Sequence, residues 1–396
     1  MRKLVQTALI ASVALIAMGL ASCGHYNCSG GATFGNSTCT SSTGGSGGGV
    51  NGSGTVFAYL LVEAGAADGM DADVLDLSAG TFQEATFTQP PVPSTLVSDG
   101  GTAVVTLASQ KYLYVTFNNG TVYGYAIDGT TGALTSVPGS PVNVLGGTSI
   151  TATPAGTFLF VSDFASGDIS AFSISATDGS LTAVAGSPFA SGIAAAQMAT
   201  DGQGKYLYAT SGLGGVQVAA MGIASTGVLS TVSGSPFAFT MSEVVGETSG
   251  KYLVGISGLD NHIHVFAINS TSGAISEVTN SPFATASVPV NIAVSPNGSF
   301  VYAFDGLSVP MEGYQLNAST GALTAVAGSP FTGVNLQFGQ FDQSGKYLFG
   351  EGEGQVSFDF GPYGADPSGG VISPAQFGTL GFPGGSVAVS DLNDAP

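Results

Sequence analysis

The sequence predicts an all-β fold: a seven-bladed β-propeller of four-stranded antiparallel blades, closed by its C-terminal strand. Three observations carry this expectation. A Gly/Asn-Ser-Pro element recurs with its proline at Pro141, Pro188, Pro236, Pro282 and Pro330, at intervals of 47, 48, 46 and 48 residues. An aromatic residue opening a KYLYV-like run recurs at Tyr112, Phe158, Tyr206, Tyr252, Phe300 and Tyr347, at intervals of 46, 48, 46, 48 and 47. Two independent markers thus share one period. Beyond the N-terminal segment, no window longer than about ten residues sustains a helical repeat of apolar positions.

One period resolves into four strand-like runs. Around Asn291 these are NIAVS, a PNG turn, SFVYAF, a loop, EGYQLN, an STG turn and ALTAVAG before Ser-Pro-Phe. Alternating, β-branched and aromatic runs bounded by Gly, Pro and Asn are strands joined by tight turns. The second-strand run appears first at 56–62 (VFAYLLV) and then six more times. The innermost run appears at 102–107, 149–153, 196–200, 243–247, 291–295 and 338–342, with a seventh copy at 386–390 (SVAVS). The repeat therefore starts one strand into a blade, and the C-terminal run supplies the missing strand. Such closure removes the open sheet edges that invite aggregation. The propeller is assigned to residues 55–396.

Residues 1–22 read as a secretory signal, with Arg2 and Lys3 as the basic region and an apolar stretch from about Leu9 to Leu20. A run of about 12 strongly apolar residues is short for a membrane span. Leu20-Ala21-Ser22-Cys23 resembles the bacterial lipobox, in which Cys23 becomes the lipidated N-terminus. Lipid on Cys23 would hold the protein on a membrane, since each buried methylene contributes about 0.8 kcal/mol. Gly24 in place of Asp implies an outer-membrane address in the lipoproteins it resembles. Export to an oxidising compartment allows Cys28 and Cys39 to pair as a disulfide, the alternative being two free thiols. Residues 23–54, rich in Gly, Ser and Thr, form a tether that cannot bury a core.

Charge is scarce and one-sided. Six Lys+Arg face 25 Asp+Glu in 396 residues, and both Arg2 and Lys3 lie in the signal. A mature chain without arginine makes no bidentate phosphate or carboxylate clamp and is a poor partner for nucleic acid. Propeller connectivity sorts the rest by face. Loops between second and third strands share one face with the links between blades, and the one-to-two and three-to-four turns lie on the other. Lys111, Lys205, Lys251 and Lys346 all sit at the start of second strands, on the latter face. Two-to-three loops hold Glu63, Asp68, Asp71, Asp73, Asp163, Asp168, Asp260, Asp305, Glu312, Glu351 and Glu353, with no lysine. This predicts an acidic face that favours cations, although acids also simply solvate exposed loops.

Two local clusters offer chemistry. Asp260-Asn261-His262-Ile263-His264 places two histidines two apart on a strand, hence on one side. That spacing suits a metal pair or a general base oriented by Asp, but only two such ligands are present, and a hydrogen-bonded surface role fits it as well. Asp68, Asp71 and Asp73 are spaced somewhat like a calcium loop, without its glycine and terminal glutamate. Glu351-Gly352-Glu353 is a similar acidic pair. In residues 55–396 no Gly-x-Ser-x-Gly elbow, His-Glu-x-x-His or phosphate loop occurs.

The repeat resembles the seven-bladed lactonase-like propellers and the related YVTN-type repeats. Carrying the resemblance are Asn297-Gly298-Ser299-Phe300-Val301-Tyr302, Gly204-Lys205-Tyr206-Leu207-Tyr208, Gly345-Lys346-Tyr347-Leu348-Phe349, Val265-Phe266-Ala267-Ile268 and Thr320-Gly321-Ala322-Leu323. The resemblance implies the fold and, as an activity, hydrolysis or cycloisomerisation of a lactone. It carries over no catalytic residue, and His262 and His264 are the sequence's own candidates. Anionic lactones call for cationic groups that this chain holds on the opposite face. The expected function is therefore a lipid-anchored envelope propeller that binds a protein, a carbohydrate or a divalent cation such as calcium through Asp68, Asp71, Asp163, Asp260, Asp305, Glu351 and Glu353. The alternative is a lactonase-type hydrolase or cycloisomerase.

Overall fold

Short β-branched and aromatic runs, each ended by a Gly, Asn or Pro turn, fold into 32 strands and no helix among the described residues. The computed structural model describes residues 55–62, 69–76, 81–84, 101–106, 111–117, 120–212, 215–306, 309–353, 358–375, 380–382 and 385–391. The signal, Cys23, Cys28, Cys39, the tether and Asp68 lie outside them.

The strands make seven antiparallel sheets, one per blade. Blade one combines both ends of the propeller: Gly385–Asp391 innermost, then Thr55–Val62, Gly69–Asp76 and Thr81–Glu84. Its closing register runs from Val56 opposite Asp391 to Val62 opposite Gly385. Innermost strands of blades two to seven are Gly101–Thr106, Ser149–Ala152, Gln197–Thr200, Glu243–Gly246, Asn291–Val294 and Leu336–Phe341. Blade five shows the pattern: Glu243–Gly246, Tyr252–Ile256, His262–Ile268 and Ile275–Glu277 in order. Four blades add a short strand that pairs with the third, such as Phe283–Ala284 against His262 and Ile263. The four-strand expectation therefore holds with this small addition.

The core lies between blades. Tyr208, Val218 and Ala220 of blade four pack with Val244, Leu253 and Phe266 of blade five. Val254, Ile256 and Val265 of blade five pack in turn with Ile292, Val301 and Tyr314 of blade six. Two hydrogen bonds repeat from blade to blade. The hydroxyls of Tyr59, Tyr114, Tyr208 and Tyr302 donate to the carbonyls of Gly132, Gly179, Gly273 and Gly370 in the next blade, at 2.7–3.0 Å. Gly273 has φ +75°, and a Cβ there would lie 2.3 Å from the Tyr206 ring, so the turn requires glycine. Each Ser-Pro bond at Pro141, Pro188, Pro236, Pro282 and Pro330 is cis. The serine hydroxyl accepts from a third-strand N–H, that of Gly124, Ala171, Ala220, Val265 or Gly313, at 2.8–3.0 Å.

Candidate active site at the first-face end of the axis

The strand pairing defines one level around the axis. Ser149, Gln197, Glu243, Asn291 and Phe338 lie opposite the equivalent second-strand residues Ser162, Thr210, Ile256, Phe304 and Glu351. Ala103 and Ser386 complete the level in blades two and one, opposite Thr116 and Leu61. Innermost strands enter from the links between blades, so this level is the first-face end of the axis. Glu243 is the one carboxylate among its seven innermost-strand residues.

Glu243 is held by the next blade. The Asn291 amide donates to both carboxylate oxygens at 3.2 Å, and the Ile292 N–H donates as well. Glu243 is half-buried, and dense protein around its carboxyl removes enough water to push it up to about 8. A carboxyl poised there exchanges protons near neutral pH, which is what a general acid-base needs. Sequence reading missed Glu243. The available signal was columnar: where the other repeats place Ala, Ser, Gln, Asn or Phe, this repeat places an acid.

A second carboxyl pair sits at the same end of blade six. Asp305 follows the second strand Phe300–Phe304, and Glu312 opens the third strand Glu312–Leu316. They are only 8% and 7% exposed. Burial, then the nearby Glu312 charge, pushes Asp305 up to about 7.

The expected acidic face is corrected by the placement of its residues. Asp71 and Asp73 are not in a loop but in the third strand Gly69–Asp76, paired with Leu60 and Ala58. Glu351 and Glu353 belong to the second strand Tyr347–Glu353. Asp163 turns back on its own hairpin and accepts the Ala165 N–H at 2.9 Å. Asp305 and Glu312 point inward. Short carboxylates in tight turns close onto neighbouring backbone donors more readily than they project into solvent. The opposite face also uses acids structurally: buried Asp201 accepts the Lys205 and Tyr206 N–H groups at 2.7 and 2.8 Å. This Asp lines a groove of about 360 Å³ with Lys205 and Lys251, where its carboxylate is committed to the turn. A binding module built on a displayed acidic face is not supported.

The histidine cluster is brought together on blade five. Asp260 lies 3.8 Å from His262 Nδ1 and 3.7 Å from His264 Nε2. His264 Nδ1 meets Glu277 at 2.8 Å, and the Ser281 hydroxyl donates to the same Glu277 oxygen at 2.9 Å. His264 also stacks on Phe266 at 6.2 Å. The result is a charged cluster along the third strand, away from the innermost strands, whose hydrogen bonds are those of Glu277 with His264 and Ser281. Among the described residues, no three His, Cys, Asp or Glu side chains gather into a metal-holding group.

Comparisons follow the fold. A family model described as "Lactonase, 7-bladed beta-propeller" matches residues 55–195 and 150–334. No protein of curated function matches the chain. Among solved structures, a Bacteroides uniformis protein with a provisional 6-phosphogluconolactonase name is 16% identical, with TM-score 0.66 over 85% of this chain and 99% of that one. The Pseudomonas aeruginosa periplasmic gluconolactonase is 17% identical, with TM-score 0.64 over 84% and 98%. A functionally unknown protein from Desulfotomaculum acetoxidans is 14% identical, with TM-score 0.60 over 84% and 98%. At such identities these likenesses are likenesses of fold.

Proposed function

Since the chain belongs to the lactonase family of seven-bladed β-propellers, we propose that it hydrolyses an uncharged lactone at the first-face end of the axis, with Glu243 as the general base. The observation that carries this reading is the single carboxyl among the seven innermost-strand residues of that level, desolvated to about 8 and oriented by Asn291. Ionised Glu243 takes a proton from water as the water oxygen attacks the ring carbonyl. The tetrahedral intermediate then expels the ring oxygen, which receives the proton back from Glu243. Water and lactone become one hydroxy acid, and the carboxylate is regenerated. Positioned proton transfer of this kind supplies about 10² to 10⁴ in rate.

The substrate class follows from charge. No arginine lies beyond Arg2, and all four later lysines open second strands on the opposite face. A phosphorylated or carboxylated lactone would meet Glu243 with no lysine or arginine on this face to balance it. The Pseudomonas aeruginosa neighbour is named for a lactone without phosphate, in keeping with this charge argument. Export and a lipid anchor at Cys23, supported by the sequence of residues 1–23, would place the reaction in the cell envelope.

A panel of neutral and phosphorylated sugar lactones, followed by acid release above the spontaneous rate, tests the substrate class. Turnover of neutral members, and a loss of at least about a hundredfold in Glu243→Gln, are expected. Preference for phosphorylated members would overturn the substrate class, and full activity of Glu243→Gln would overturn the role of this residue.

A further inference from the structure

We propose that the preferred lactone carries a hydrocarbon chain, which lies on an apolar rim of Leu259, Val288 and Val290 beside Glu243. The proposal rests on the hydrolytic reading above and narrows its substrate class. Among the described residues, five large apolar side chains are 39% to 61% exposed: Leu145, Val216, Leu259, Val288 and Val290. One exposed leucine or valine is ordinary on a protein surface. Here, however, all five stand on the first face. Val216 and Leu259 belong to the two-to-three loops of blades four and five. Leu145 lies in the link between blades two and three, and Val288 and Val290 in the link between blades five and six.

Three of the five belong to the segments that frame Glu243. Leu259 follows three residues after Ile256, which pairs with Glu243. Val290 directly precedes Asn291, whose amide holds the Glu243 carboxylate. The two segments are also tied to each other. The Thr285 N–H donates to the Asn261 carbonyl at 2.8 Å, and the Asn261 amide donates to the Thr285 carbonyl at 3.3 Å. Backbone bonds hold both in place: the Leu259 N–H donates to Ser257 Oγ at 3.1 Å, and the Val290 N–H to the Phe304 carbonyl at 2.8 Å. Apolar surface displayed beside a polar reacting group suits a ligand that has both kinds of surface. A lactone ring meets the carboxyl, and a chain on that ring covers the rim. With no lysine or arginine on this face to meet a charged chain end, plain hydrocarbon fits it best. Sugar lactones, which carry hydroxyls instead of a chain, use the same carboxyl with a higher KM.

The test compares hydrolysis of γ-butyrolactone and of γ-decalactone, the same ring with a hexyl chain, by the full chain. The hexyl compound is expected to have a kcat/KM at least about tenfold higher, mostly through KM, at about two- to fourfold for each methylene buried. Leu259→Ser and Val290→Ser should each lower that ratio severalfold, whereas Leu145→Ser, on the same face but in the link between blades two and three, should keep it. Calorimetry with 3-hexylcyclopentanone and cyclopentanone, ring analogues that are not hydrolysed, reads the rim without the chemistry. Tighter binding of the hexyl ketone, lost in Leu259→Ser, upholds the rim even if no lactone turns over, a result that would sink the hydrolytic reading alone. Ratios near one in both measurements, or an equal loss in Leu145→Ser, would overturn the proposal. So would a dimer in sedimentation that Leu259→Ser dissociates, since the rim would then belong to a second copy of the chain.

Discussion

Glu243 and Asp305 make stability depend on pH in a direction set by their environments. Each carboxyl binds its proton more tightly in the folded chain: Glu243 is raised from 4.5 to about 8, and Asp305 from 3.8 to about 7. The stability they contribute is fully present below the ordinary carboxyl values and is lost as pH rises through 7 and 8. Raising the pH from 5 to 8.5 is therefore expected to lower stability and, with it, Tm. Glu243→Gln, which mimics the protonated acid and keeps an acceptor for Asn291, should flatten the upper part of that curve. Melts of both proteins across this range check it; identical curves would mean that Glu243 is not desolvated. The sequence showed Asp305 as an acid in a loop but not which way it points, because inward and outward carboxylates follow the same turn residues. Glu243 was hidden for another reason: it stands alone, with no neighbouring motif, and its partner Asn291 is 48 residues away.

At the scale of the blade, the Ser-Pro marker that revealed the repeat turns out to be a hydrogen-bonding device. Ser235 Oγ accepts the Ala220 N–H at 2.8 Å across the hairpin, and its counterparts do the same in four other blades. Ser235→Ala should cost about 1–3 kcal/mol, because a third-strand N–H loses its acceptor. Tyr208→Phe should cost a similar amount, since the Gly273 carbonyl then lacks the hydroxyl that ties blade four to blade five. Urea unfolding of both variants measures this, and a change below a few tenths of a kcal/mol would show that water replaces the lost groups. Strand positions and blade count were legible because every blade repeats the same apolar alternation. The short fifth strands were not, since two residues carry no periodicity.

For the whole molecule, ring closure joins residues far apart in sequence through seven paired positions between Gly385–Asp391 and Thr55–Val62. A chain ending at residue 384 would expose the edge of Thr55–Val62 and is expected to melt earlier and associate, as light scattering would record. Closure was legible from the missing strand in the first repeat. Face polarity was legible only in part: connectivity places the lysines correctly, but most of the described acids it assigns to loops lie in strands, cap their own turns or face inward. The function that emerges rests on one enclosed acid at the axis. Its most direct test is the pH dependence of kcat/KM for hydrolysis of a neutral sugar lactone by the full chain and by Glu243→Gln. The account expects kcat/KM to rise with pH and level near 8, with a loss of at least about a hundredfold in the variant. A flat profile with activity retained in Glu243→Gln, or no turnover of any neutral lactone, would contradict it.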